Sequence, residues 1–131
     1  MQTGWISREN GWYYLDENGQ MVTDWVSMDG VWYYFGEDRL MQTGWKKISG
    51  RWYLFSDRGI MQTGWVKQNG AWFYLGENGR MTTGWYEIPS GEQKGWYWFD
   101  SQGRMATGWT EIDGKWEMFS ESGVWQYTWT E

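Results

Sequence analysis

The sequence predicts an all-β protein, a solenoid of stacked β-hairpins, and three observations carry that prediction. A five-residue motif, Met-x-Thr-Gly-Trp, recurs along the chain at a spacing of 20 residues. Two short β-prone runs separated by turn pairs fill each interval. Aromatic residues are also in large surplus, with 15 Trp, 9 Tyr and 5 Phe in 131 residues against 19 Gly and a single Pro. Self-similarity at a fixed short period marks repeat architectures, in which each unit buries its faces against its neighbours.

The motif stands at Met1–Trp5, Met41–Trp45, Met61–Trp65, Met81–Trp85 and Met105–Trp109, and at Met21–Trp25 with Asp24 in place of Gly. One step lengthens to 24 residues through an insertion around Pro89–Lys94. Trp125 and Trp129 close the chain in a degenerate copy. The repeats run at about 1–20, 21–40, 41–60, 61–80, 81–104 and 105–123, with a partial unit at 124–131, so the whole chain reads as one array.

After each motif comes a second aromatic run: Trp12–Leu15, Trp32–Phe35, Trp52–Phe55, Trp72–Leu75, Trp96–Phe99 and Trp116–Phe119. In four repeats a turn pair precedes it, namely Asp29-Gly30, Ser49-Gly50, Asn69-Gly70 and Asp113-Gly114. Such pairs favour the tight primed turns of antiparallel hairpins. A two-residue loop at Asp29-Gly30 sets Trp25 opposite Tyr34 and Ser27 opposite Trp32. Strand alternation then puts Trp25, Trp32 and Tyr34 on one face and Val26, Tyr33 and Phe35 on the other. Both faces are apolar, and an isolated hairpin is marginal in water, so each must stack.

Corner turns link the units at Asp16–Gly19, Asp57–Gly59, Glu77–Gly79 and Ser101–Gly103, where short polar side chains can bond nearby backbone. Arg39 replaces Gly at this point in the second unit, and a differently shaped corner is expected there. Asp24 fits the motif glycine position because Asp tolerates left-handed backbone better than most residues.

Where hairpins stack, two Trp of one repeat meet the residue after the second Trp of the next. For the first junction these are Trp5, Trp12 and Tyr33, with Met41 at the base. Three aromatic walls around a small void suit a cation better than they fill a core.

The pattern Gly-Trp, Trp-Tyr-Tyr, Gly-x-Met-x-Thr-Gly-Trp resembles the choline-binding repeats of pneumococcal and phage cell-wall proteins. The resemblance covers the whole chain. It implies a left-handed superhelix of hairpins that holds the choline of teichoic or lipoteichoic acid between consecutive repeats and anchors a parent protein. Carried over by position, the cages after Trp5, Trp12, Tyr33 and Met41 are Trp25, Trp32, Tyr53 and Met61; Trp45, Trp52, Phe73 and Met81; and Trp65, Trp72, Tyr97 and Met105. Trp85 and Trp96 supply the fifth, but Glu117 takes its third aromatic position, which weakens it. Trp109 and Trp116, with only the partial repeat beyond them, are expected to form a cap. The implied location is extracellular and cell-wall associated, with any export signal on a longer parent.

Other chemistries find little support. The net charge of −6 opposes nucleic-acid binding, which needs clustered Lys and Arg. No His or Cys is present, so the usual general base, thiolate and soft metal ligands are missing. Carboxylate pairs such as Asp16/Glu17 and Glu37/Asp38 lie at turns without the spacing of a calcium loop. No catalytic residue, metal site or cofactor is expected, and no apolar run is long enough for membrane insertion. Two rival readings stand: a glucan-binding repeat module, and a structural or oligomerisation solenoid forming a homodimer through its C-terminal repeat, where Val124–Glu131 would pair with another chain.

Overall fold

The computed structural model describes residues 1–131 and contains strands only, so no helix is long and apolar enough to cross a membrane. Contacts divide the chain into two compact units, Met1–Gln62 and Thr63–Glu131. The first unit holds three hairpins: β1 (Gly4–Arg8) with β2 (Gly11–Leu15), β3 (Asp24–Met28) with β4 (Val31–Phe35), and β5 (Gly44–Ile48) with β6 (Arg51–Phe55). The second holds β7 (Gly64–Gln68) with β8 (Ala71–Leu75), β9 (Gly84–Ile88) with β10 (Gly95–Phe99), and β11 (Gly108–Ile112) with β12 (Lys115–Phe119). A thirteenth strand, β13 (Trp125–Thr128), adds to β12.

The hairpin register follows from the turns. Asp29 and Gly30 take φ of 51° and 84°, and Ser49-Gly50, Asn69-Gly70 and Asp113-Gly114 repeat this within a few degrees. Two positive φ values in a two-residue loop match the twist of the flanking strands. Trp25 accordingly faces Tyr34 and Ser27 faces Trp32. The first hairpin has no such pair; its loop is Glu9-Asn10, and the positive φ moves to Gly11. In the fifth, Ile88 faces Gly95 across the insertion.

Each second strand ends on the residue that fills the core. Phe35, Leu75 and Phe99 are 0% exposed, and Phe55 and Phe119 nearly so. Burying one such side chain is worth roughly 1.5–3 kcal/mol. Within the first unit, Ile48, Tyr53 and Phe55 form a cluster against which Trp25, Tyr34 and Met61 pack.

At the corners the short polar side chains satisfy backbone as expected. Asp16 Oδ1 accepts from the N–H of Asn18 and Gln20, and Asp100 Oδ1 from those of Gln102 and Arg104. The Arg39 corner is not reshaped, contrary to the sequence expectation. Arg39 takes φ 70° and its N–H donates to the Gly36 carbonyl at 2.8 Å, as Gly59 does to Ser56. The four-residue hydrogen-bonded turn fixes the backbone, and the side chain must tolerate it. What changes is the packing above it. The Met41 side chain lies against Gly59, Met81 against Gly103 and Met105 against Gly123, so closely that a Cβ on any of these glycines would collide with the thioether. Met21, whose corner carries Arg39, is left exposed.

The tail, the segment that the oligomerisation reading pairs with another chain, finds a strand partner within its own chain. β13 runs antiparallel to β12 of the same chain, with Glu117 opposite Thr128 and Met118 opposite Tyr127. That edge of β12 is therefore already used.

Candidate functional site

In every hairpin the two tryptophans are diagonal neighbours on one face. Trp5 faces Tyr14 and Trp12 faces Ser7, one pleat along. Diagonal aromatic pairs in antiparallel strands remain within reach of each other. Their rings stand nearly perpendicular: Trp5–Trp12 at 6.2 Å and 82°, Trp25–Trp32 at 6.3 Å and 82°, Trp65–Trp72 at 6.3 Å and 85°, Trp85–Trp96 at 6.4 Å and 79°. Two walls at a right angle make a corner, with the second Trp of each pair exposed.

The following hairpin supplies the third ring. Tyr33 lies 5.1 Å from Trp5, Tyr53 lies 4.9 Å from Trp25, and Tyr97 lies 5.1 Å from Trp65. Below them a backbone bond ties in the motif methionine: the N–H of Met41 donates to the Trp12 carbonyl, Met61 to Trp32, and Met105 to Trp72, at 2.8–2.9 Å. The first, second and fourth predicted cages are thus brought together as groups of four. Trp45 and Trp52 of the third belong to the first unit, opposite Leu54 and Lys47. Phe73 and Met81 belong to the second unit, opposite Val66 and bridged to Leu75.

Residues that sequence spacing did not single out complete two of the hollows. Asp57 and Arg58, from a corner turn, join Trp5, Trp12, Tyr33 and Met41 around the first. The fourth hollow, around Trp65, Trp72, Tyr97 and Met105, is closed further by Glu92 and Gln93 of the insertion and by Ser122 and Val124. The Tyr97 hydroxyl donates to the Gln93 carbonyl at 2.6 Å, and the ring keeps only 2% exposure. Burial pushes its pKa above the ordinary 10.0, so it stays a neutral phenol. An insertion of arbitrary sequence gives no periodic signal, which is why its role is invisible before folding.

The residue opposite the second Trp differs in charge along the array: Ser7, Ser27, Lys47, Lys67, Glu87 and Glu111. The Lys67 ammonium sits 5.9 Å from the Trp72 ring centre, so an internal cation already samples that ring.

At the fifth junction Glu117 is 7% exposed, buried where other repeats place a ring. Its Oε1 accepts from Trp125 Nε1 at 2.9 Å and from Thr128 Oγ1 at 2.6 Å. A buried carboxylate needs such donors. The bond holds the Trp125 ring 6.5 Å from Trp85, at 86°. Trp85 therefore gains a third aromatic neighbour, beside Trp96 and Phe119, from the position that is Met in complete repeats. The sequence marked Trp125 as a degenerate motif residue; its link to Glu117 was the part spacing did not reveal. No group of three or more His, Cys, Asp or Glu is placed to hold a metal ion.

This arrangement can surround a small cation that has no N–H donor, because ring faces attract it without hydrogen bonds. Comparison with known proteins agrees. A family model described as a choline-binding repeat matches residues 2–39, 42–86 and 82–125. Choline binding protein F of Streptococcus pneumoniae, solved in the presence of a peptidoglycan analogue, is similar at TM-score 0.89 and 41% identity, covering 95% of this chain and 41% of its own. CbpJ from S. pneumoniae TIGR4 is similar at TM-score 0.87 and 32% identity, covering 99% of this chain and 47% of its own. The pneumococcal cell wall endolysin of phage Cp-1, complexed with choline, follows at TM-score 0.64 and 29% identity, covering 95% and 37%. The chain thus spans less than half the length of each. The search of curated proteins gave no match.

Proposed function

The chain belongs to the choline-binding repeat family, and on that premise we propose that it is a non-catalytic module holding the choline of teichoic or lipoteichoic acid between consecutive hairpins. The observation that carries this reading is the recurring corner of two perpendicular Trp rings, a third ring and a methionine, built alike at Trp5, Trp25 and Trp65. Trp85 and Trp96 form a fifth, in which Trp125 replaces the missing ring.

Two or three cation–π walls, each worth roughly 0.5–2 kcal/mol, leave on the order of −4 kcal/mol after the costs of binding, a dissociation constant near 1 mM. One site is weak. Several sites on a polymer that carries many cholines gain avidity of about 10²–10⁴ without any new contact. In this reading the module anchors a longer parent protein outside the cell, at the wall.

Retention tests this. The protein should bind immobilised choline-bearing teichoic acid and elute with free choline, but not with sodium chloride at equal concentration. Elution by salt alone would mean that net charge, and not the cages, holds it. The rival glucan reading would instead require elution by glucose oligomers and not by choline.

A further inference from the structure

The sixth hairpin was expected to be a cap, yet its tryptophans are open. Trp109 and Trp116 are exposed and, with Trp129, line a hollow. The tail makes no further hairpin over them. Instead β13 folds back along β12, with a register shift between Met118 and Phe119, and then delivers two rings.

Tyr127 meets Trp109 at 5.8 Å and 64°. Tyr33 meets Trp5 at 65° and Tyr53 meets Trp25 at 66°, at slightly shorter range. The Trp129 N–H donates to the Trp116 carbonyl at 2.8 Å. That is the bond Met41 makes to Trp12, Met61 to Trp32 and Met105 to Trp72. A few residues of tail thus reproduce, by a different route through the sequence, the contacts that elsewhere need a whole hairpin. Trp129 stands where the cages have methionine, so the base gains a ring face. Glu111 lies opposite Trp116, where the fourth hairpin has Lys67 opposite Trp72, which favours a cation here.

We propose that Trp109, Trp116, Tyr127 and Trp129 form a further binding site for a small quaternary ammonium, completed by the folded-back tail. This rests on the reading of the other junctions as cation cages. The carboxylate of Glu111 adds attraction that weakens with salt, whereas the ring faces do not depend on ionic strength to the same degree.

Indole N–H signals of the ¹⁵N-labelled full chain, followed during titration with choline chloride against matched sodium chloride, test it. The Trp109, Trp116 and Trp129 signals should shift saturably, with a dissociation constant within about tenfold of that for Trp25 and Trp32. Trp129→Ala should abolish saturation at Trp109 and Trp116 and leave Trp25 and Trp32 unchanged; Trp129 is 53% exposed, so the hairpins do not depend on it. Saturation at Trp25 and Trp32 without any at the wild-type tail would overturn the proposal alone. Absence of saturation everywhere would overturn it together with the general reading. Shifts that follow protein concentration and not choline would also overturn it, making this face an interface between two copies.

Discussion

In the proposed function Trp32 serves binding more than folding. It is 43% exposed, perpendicular to Trp25, and hydrogen-bonded only through its backbone to Met61. Trp32→Ala should weaken choline at the second junction by about 2- to 30-fold, the loss of one ring face of roughly 0.5–2 kcal/mol, while the other junctions keep their isotherms. Unfolding of this variant in a thermal melt would mean that Trp32 is core. Glu117 is the opposite case. Glu117→Ala orphans the donors of Trp125 and Thr128, and should cost about 1–3 kcal/mol in urea denaturation and release Trp125 from Trp85. Glu117→Gln keeps an acceptor and should retain most of both. Ionisation adds a third residue-scale expectation. Tyr34, Tyr74 and Tyr97 are all raised above 10.0, chiefly by burial; Asp24 and Glu37 add to it at Tyr34, and Tyr86 and Glu77 at Tyr74. Their neutral forms favour the folded chain, so this stability is complete below the ordinary tyrosine value and lost as pH rises through the raised ones. A far-ultraviolet circular dichroism titration should show melting on the alkaline side of pH 10, with no histidine to introduce a neutral step. A transition near pH 7 would contradict it.

Among the elements, turns and corners carry different loads although both rely on positive φ. Gly70 sits in open space at φ 84°, so Gly70→Ala should cost about 1 kcal/mol for backbone alone. Gly59 has nearly the same φ but supports Met41. Gly59→Ala should lower the urea midpoint further and also weaken choline at the first junction, whose hollow Met41 lines. Equal effects of the two substitutions would show that the methionine is only filler. The hairpins were readable because turn chemistry and strand alternation are local; Asp29-Gly30 alone fixes Trp25 opposite Tyr34. The corner at Arg39 was misjudged because a hydrogen-bonded loop can impose left-handed backbone on a residue that does not prefer it. The fold-back of β13 was not readable, since it depends on Glu117 and on a shifted register far from any repeat signature.

On the scale of the whole molecule, repetition made the cages legible: fixed spacing predicted which four residues would meet at Trp5, Trp25 and Trp65. What spacing could not supply is how the array departs from itself, through the insertion that covers Tyr97 and the tail that serves both Trp85 and Trp109. The residue opposite the second Trp also changes along the array, from Ser7 and Ser27 through Lys67 to Glu87 and Glu111, which gives neighbouring hollows unlike surroundings. Choline binding should therefore span a range of affinities and grow more heterogeneous at low ionic strength, where exposed charges are less screened. In the proposed function the aromatic corners recognise a quaternary ammonium. Tryptophan fluorescence titrated with choline, tetramethylammonium and glucose oligomers tests it most directly. Both ammonium ions should give saturable, millimolar responses and the sugars none; a saturable response to the glucose oligomers alone would mean that the corners bind sugar and not a cation.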